Sequence, residues 1–211
     1  MAVSSLTKFT VPLATNQSAS NQGLLMPKLG YRFRVTFSNF GVNPTTTELT
    51  KQVMDCTRPQ VSFGDLNIDV YNSKVKLLGK PDWADITINL RDDAGNEVSR
   101  LVSQQVQKQF DFMEQASAAA GIDYKFITKL EVLDGSQGSE AGVLETWEMY
   151  GCFLQQVQYG EMNYANAEAV KIALTVRYDN ALQVGGGTGI GTYVGERVAG
   201  SLAKGARIIT G

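Results

Sequence analysis

Apolar and polar residues alternate strictly in several stretches of this chain, and each such stretch predicts a half-buried β-strand. Tyr31, Phe33, Val35 and Phe37 alternate with Arg32, Arg34, Thr36 and Ser38. Leu66, Ile68 and Val70 mark another strand, and Ala84, Ile86, Ile88 and Leu90 a third. Val170, Ile172, Leu174, Val176 and Tyr178 interleave with Lys171, Ala173, Thr175, Arg177 and Asp179. Further strands are expected over 52–57 (broken at Pro59, resumed at Val61 and Phe63), over 125–133, and as a pair over 143–159. The stretch 40–50 reads as a loop rich in Gly, Pro and Thr. Only one long helix is expected: Val98, Leu101, Val102, Val106, Phe110 and Met113 recur at three- and four-residue steps, a single apolar stripe. The turn residues 92–96 supply its cap, and Gly121 its left-handed end. Strands, one helix and more strands do not make the regular alternation of a parallel doubly wound sheet. The expected fold class is therefore mainly β (α+β): two packed antiparallel sheets, a sandwich or partial barrel, with one α-helix.

The two ends show no such periods. Residues 1–26 are rich in Ser, Thr, Asn and Gln and read as an N-terminal arm; 27–183 form the domain; 184–211 form a glycine-rich C-terminal arm. The run at 185–191 does not bind nucleotide by its spacing. The third glycine of G-x-G-x-x-G would fall on Ile190, Thr192 or Val194, and no G-K-[ST] follows. A hinge into a docked arm is the better reading.

Composition narrows the function further. The 211 residues contain no histidine, which removes the Ser-His-Asp and Cys-His nucleophile systems and His-ligated metals together. Two cysteines, Cys56 and Cys152, sit inside strand patterns, where buried apolar thiols are the simplest reading. Asp82 and Asp85 lie roughly 20 Å along the strand from Asp92 and Asp93, too far to share an ion. The sequence therefore predicts no catalytic, cofactor-binding or metal site. Over 31–183, fourteen basic residues stand against twenty acidic ones, a net −6. Such a body does not grip nucleic-acid phosphates, although it suits a surface along which nucleic acid slides. The first residues carry no charged leader with an apolar core, and no run is long enough to cross a membrane, so a cytosol-like compartment is expected.

One stretch remains without an assigned purpose. Between the strands at Leu66–Val70 and Ala84–Leu90, residues 72–83 read as a basic and apolar loop. Val75, Leu77 and Leu78 need a surface to cover, and Lys74, Lys76 and Lys80 need counter-charges. That is the profile of a contact element in a protein that works by assembling.

The ordered set of features resembles a known family. A strand follows Leu29, Gly30 and Tyr31, and a broken strand pair ends near Phe63. The loop 72–79 precedes a strand opening on Asp82 and Trp83, then a single helix, then a terminal strand over 170–178. Across about residues 26–183 this is similar to the tail tube protein of contractile-tailed, T-even-like bacteriophages, kin to the pyocin tube and type VI secretion ring proteins. The resemblance implies a non-enzymatic structural subunit of a virion. Six copies form a ring whose inner strands join a continuous β-barrel, and the rings stack into a hollow tube that conducts DNA. It implies a contractile sheath protein outside, tape-measure protein and DNA transiently inside, baseplate and tail terminator at the ends, and no membrane anchoring. The place implied is the virion tail, assembled in the bacterial host cytoplasm. Carried onto this sequence, the ring-stacking loop comprises Asn72, Ser73, Lys74, Val75, Lys76, Leu77, Leu78, Lys80, Asp82 and Trp83. Two alternatives stand beside it: the tube of a contractile injection or secretion device carrying protein cargo, and a β-rich nucleic-acid-binding module.

Overall fold

A computed structural model of the chain describes residues 27–42, 47–136, 142–165 and 167–184. The chain divides into two compact units, residues 1–32 and 33–211. In the first, the Arg32 N–H donates to the Leu29 carbonyl at 3.1 Å, and the Arg32 guanidinium lies 5.4 Å from the Tyr31 ring centre.

The second unit runs β1 (Phe33–Ser38), α1 (Thr47–Gln52), β2 (Val53–Cys56), β3 (Val61–Val70), β4 (Ser73–Trp83), β5 (Ile86–Arg91) and α2 (Glu97–Gln109). It continues with β6 (Phe110–Asp111), β7 (Ala116–Ser117), α3 (Gly121–Tyr124), β8 (Phe126–Leu133), β9 (Val143–Gln158), β10 (Lys171–Arg177) and β11 (Asn180–Val184). Seven strands form one antiparallel system in the order β1-β8-β9-β10-β5-β2, with β11 added beside β9. β9 is its spine. Residues 143–152 pair with β8, and the opposite edge pairs first with β11 and then, over 153–158, with β10. The ladder turns a corner inside β9 at Gly151, which has φ +69. A Cβ there would fall 2.1 Å from an Asp179 carboxylate oxygen, so only glycine lets the Asp179 side chain fold over the corner. Asp179 is held in that place by Lys125 at 2.6 Å.

The two arms of the bent sheet share one core. Val35, Phe126 and Met149 from one arm meet Ile86, Ile88, Leu174 and Val176 from the other, all essentially inaccessible to solvent. Phe37, Phe40 and Phe126 cluster at its centre, with ring centres 4.9–6.3 Å apart. Helix α2 adds Val98, Leu101 and Val102 to the same core. The mainly β fold with antiparallel sheets is thus as the alternation predicts, and two short helices join the long one.

Polar contacts dock α2 as much as its stripe does. Gln105 is wholly buried; its Oε1 accepts from the Gly41 N–H at 2.8 Å and its Nε2 donates to the Tyr124 carbonyl at 2.7 Å. β8 starts at Phe126, so β9 beyond Cys152 has no strand partner on that side. There the Gln109 amide substitutes for one, accepting from the Leu154 N–H at 2.8 Å and donating to the Leu154 carbonyl at 2.9 Å.

Several expectations need correction. The long helix does not reach Gly121 but ends at Gln109. The Asp111 carboxylate takes the N–H groups of Met113 and Glu114, a local turn that competes with the helix ladder. Phe110 and Met113 therefore leave the stripe, and Gly121 opens α3 instead of closing α2. The helix start is capped by Asp93, whose Oδ1 accepts from Val98 N–H at 3.0 Å. The expected pair over 143–159 is a single bent strand, part of the loop at 40–50 is helical, and β11 adds a strand that was not anticipated. Glu145 is buried and accepts from Trp147 Nε1 at 2.6 Å and Gln183 Nε2 at 3.1 Å. The arms 1–26 and 185–211 lie outside the described residues.

Candidate assembly surface

Residues 72–83 are not a loop. Ser73–Trp83 is β4, and it pairs along its length with β3 around a tight turn at Tyr71 and Asn72. Strand propensity explains this: Val75, Leu77 and Leu78 suit a pleated ladder, and β3 supplies Leu66, Ile68 and Val70 at matching positions. The two strands form a sheet of their own and stand off the main sheet system.

The register sorts the predicted contact residues into two faces. Ser73, Val75 and Leu77 oppose Val70, Ile68 and Leu66, which makes one continuous apolar face. Leu66 is 56% exposed and Leu77 47%, and Ile68, Val70 and Val75 are similarly uncovered. Lys74 and Lys76 oppose Asp69 and Asn67 on the other face, with Leu78 opposite Asp65. Lys74 pairs with Asp69 at 3.5 Å, both well exposed, a contact of little energy in water. Lys80 and Asp82 lie nearer the base, where Gly79 crosses Gly64. A Cβ on Gly79 would sit 2.7 Å from the Gly64 carbonyl oxygen, so the backbones touch there. Trp83 closes the hairpin by stacking on Tyr178 at 5.8 Å between ring centres. The hairpin ladder is closed at its base by Ala84 N–H to Gln60 O at 2.9 Å, and just before it Thr57 N–H donates to Thr87 O of β5 at 3.0 Å.

The basic and apolar stretch expected to make contacts is thus one strand of a hairpin whose other strand carries Leu66, Ile68 and Val70. Leu66, Ile68 and Val70 were read as a half-buried strand of the domain. The signal available was a second alternating run of equal length just across a two-residue turn.

The remaining chemistry is structural. Burial, with a smaller push from Asp55, raises the Cys56 thiol to about 12, and burial raises Cys152 to about 11, so neither is a thiolate nucleophile at neutral pH. Glu131 is buried beneath Arg34 at 2.7 Å and Lys129 at 2.8 Å. Burial pushes its carboxyl up, and the hydrogen bonds and charges of the two cations more than offset this, leaving it below the usual carboxylate range. Among the described residues no three metal-ligating side chains converge, and no helix is long and apolar enough to cross a membrane.

No family model and no curated protein matches the sequence. Solved structures do match in fold. The tube-terminating cap of an anti-feeding prophage superposes with a TM-score of 0.58 at 13% identity, over 82% of this chain and 100% of that one. A chain of the sheath–tube complex of an extracellular contractile injection system gives 0.55 at 13% identity, over 76% and 93%. The sheath/tube terminator of that system gives 0.55 at 12% identity, over 77% and 100%. The chain has the fold of these proteins.

Proposed function

We propose that this protein is a structural subunit of the tube of a contractile particle, acting by self-assembly and not by catalysis. The observation that carries the reading is the β3–β4 hairpin. A two-stranded ribbon with one uncovered apolar face is marginal on its own in water, and a contiguous exposed apolar patch marks an interaction site. A second copy of the chain is the partner the fold suggests, because the solved structures that share it come from a tube-terminating cap, a sheath–tube complex and a sheath/tube terminator. In the arrangement proposed, six copies form a ring, inner strands join across subunits, and the hairpin reaches the adjacent ring through Val75, Leu77, Leu78 and their β3 partners. A sheath surrounds the tube, the arms 1–26 and 184–211 lock neighbouring subunits, and the net-negative body repels what passes through the lumen.

For the content of the lumen, DNA of a phage tail is the first reading. Protein cargo of an injection device is the second, favoured by the fold likeness to chains of extracellular injection systems. Nuclease-protected DNA in purified particles supports the first, and its absence with protein inside supports the second. The assembly reading is tested by sedimentation of the full chain beside a variant in which residues 66–78 are replaced by a short turn. Large concentration-dependent species for the full chain and loss of stacked species for the variant support it. Identical sedimentation of the two contradicts it.

A further inference from the structure

The hairpin and the connection from β9 to β10 lie at opposite ends of one sheet. β5 and β10 pair with Ile86 opposite Val176 and Arg91 opposite Lys171. The hairpin leaves at the Ile86 end. The β9–β10 connection sits at the Lys171 end, five residue steps or about 17 Å away. A protein with a projecting element at one end and a receiving surface at the other assembles head to tail, without consuming its own binding sites.

The β9–β10 connection has the character such a surface needs. Between Tyr159 and Val170 it carries Glu161 and Glu168 and no basic residue. Its apolar side chains are presented outward: Met162 is 84% exposed, Tyr164 is fully exposed and Tyr159 is about half exposed. Glu161, Met162, Glu168 and Lys171 line a cleft of about 420 Å³ there. The shape is fixed at its entry by Gly160, φ +74, whose missing Cβ would otherwise press on the Lys171 carbonyl oxygen at 2.6 Å. Glu168 reaches Lys171 at 3.9 Å, and both Glu161 and Glu168 are exposed. On the other side of the match, the hairpin carries Lys74, Lys76 and Lys80 with Asp65, Asp69 and Asp82; Lys74 is engaged by Asp69, so Lys76 and Lys80 are the cations offered to a neighbour. Because the hairpin is one strand spacing across, about 4.8 Å, the flexible lysine stems on its polar face reach round its edge.

We infer that the cleft of the β9–β10 connection, lined by Glu161, Met162 and Glu168 and followed by the exposed Tyr164 of the same connection, receives the β3–β4 hairpin of a second copy of this chain. This rests on the stacking proposed above and names the site that stacking uses. The apolar face at Leu66, Ile68 and Leu77 covers Met162 and Tyr164, while Lys76 and Lys80 meet Glu161 and Glu168. Ten residues of β3 extend about 33 Å, enough to span the whole height of a neighbour's sheet.

Charge exchange tests the pairing in the full chain. Lys76→Glu with Lys80→Glu, and separately Glu161→Lys with Glu168→Lys, each raise the concentration for half-assembly at least tenfold in sedimentation at low salt. The combined fourfold exchange brings it back to within about threefold of the parent. All these positions are exposed, so subunit melting stays unchanged. Assembly that ignores the Glu161 and Glu168 exchange, or a combined variant that is no better than either half, overturns the cleft assignment. The hairpin itself still stands as the stacking element if the lysine exchange alone weakens assembly. No effect from either pair contradicts the stacking reading as well. As a second readout, Leu77→Cys chains mixed with Met162→Cys chains form an inter-chain disulfide under mild oxidation. Cross-linking no faster than with Val42→Cys, another exposed position, also overturns the assignment.

Discussion

Leu66 and Leu77 face each other across the hairpin ladder with roughly half of each side chain exposed. Complete burial of a leucine side chain is worth about 1.5–3 kcal/mol, so covering the remaining half on docking contributes about 0.8–1.5 kcal/mol from each. Leu66→Ser with Leu77→Ser therefore removes about 1.5–3 kcal/mol per docked hairpin, which corresponds to a 10- to 150-fold higher concentration for assembly. The free subunit loses far less. A cross-strand pair is worth roughly 0.2–1 kcal/mol, and among the described residues β3 and β4 pack chiefly on each other. At this size that is a shift of at most about 2–4 °C in Tm. Turbidity and sedimentation report assembly, and thermal melts at dilution, where subunits are free, report folding. Asn67→Ser on the polar face is the control and leaves both unchanged. The reasoning is refuted if the double serine variant assembles at the same concentration as that control, or if its free subunit melts as far below the parent as its assembly is weakened.

Three further outcomes follow from the packing. Gln109→Leu strips both hydrogen bonds from the Leu154 backbone at the open edge of β9, at about 1–3 kcal/mol for each group left unpaired. The expected loss is about 2–4 kcal/mol in urea unfolding, with Gln109→Glu intermediate because it keeps the acceptor and loses the donor; a loss under 0.5 kcal/mol counts against the edge role. Glu131, held below the usual carboxylate range, contributes stability that is fully present above its unfolded pKa of about 4.3 and is lost as pH falls through its lower folded value. Glu131→Gln should thus cost about 1–3 kcal/mol between pH 6 and 8 and converge with the parent in acid; a gap that is constant with pH contradicts this. Gly79→Ala forces a Cβ onto the Gly64 backbone, which has no flexible atom to yield. Hydrogen exchange should speed up over 61–83 and leave β5, β8 and β10 protected, whereas unchanged protection in the hairpin would show that the backbones part without harm.

The period-two pattern made most of the sheet legible, because β1, β5 and β10 each bury one face and expose the other. Where one face is not set against solvent, alternation stops being informative. β9 buries residues on both sides of its bend and pairs on two edges, so from sequence it reads as a pair of strands. The helix end was misplaced since Phe110 and Met113 keep the helical spacing, while Asp111 diverts the backbone through its side chain. The hairpin shows the opposite limit. Its alternation is clean, yet its apolar face stays about half exposed, and sequence alone does not tell a face buried in the domain from one left open. The lysine-rich strand drew attention through its charge. Leu66, Ile68 and Val70 lack that mark and read as one more alternating strand. The cleft proposed to receive the hairpin has no sequence signal for a related reason: Glu161 and Met162 follow no period, and only the register of β5 with β10 puts them at the end away from the hairpin.

Cryo-electron microscopy of the purified full chain at high concentration tests the central claim most directly. The account predicts rings stacked head to tail into a hollow tube, with a β3–β4 hairpin crossing every ring boundary. A monodisperse monomer, or tubes whose hairpins take no part in the contact between rings, would contradict it.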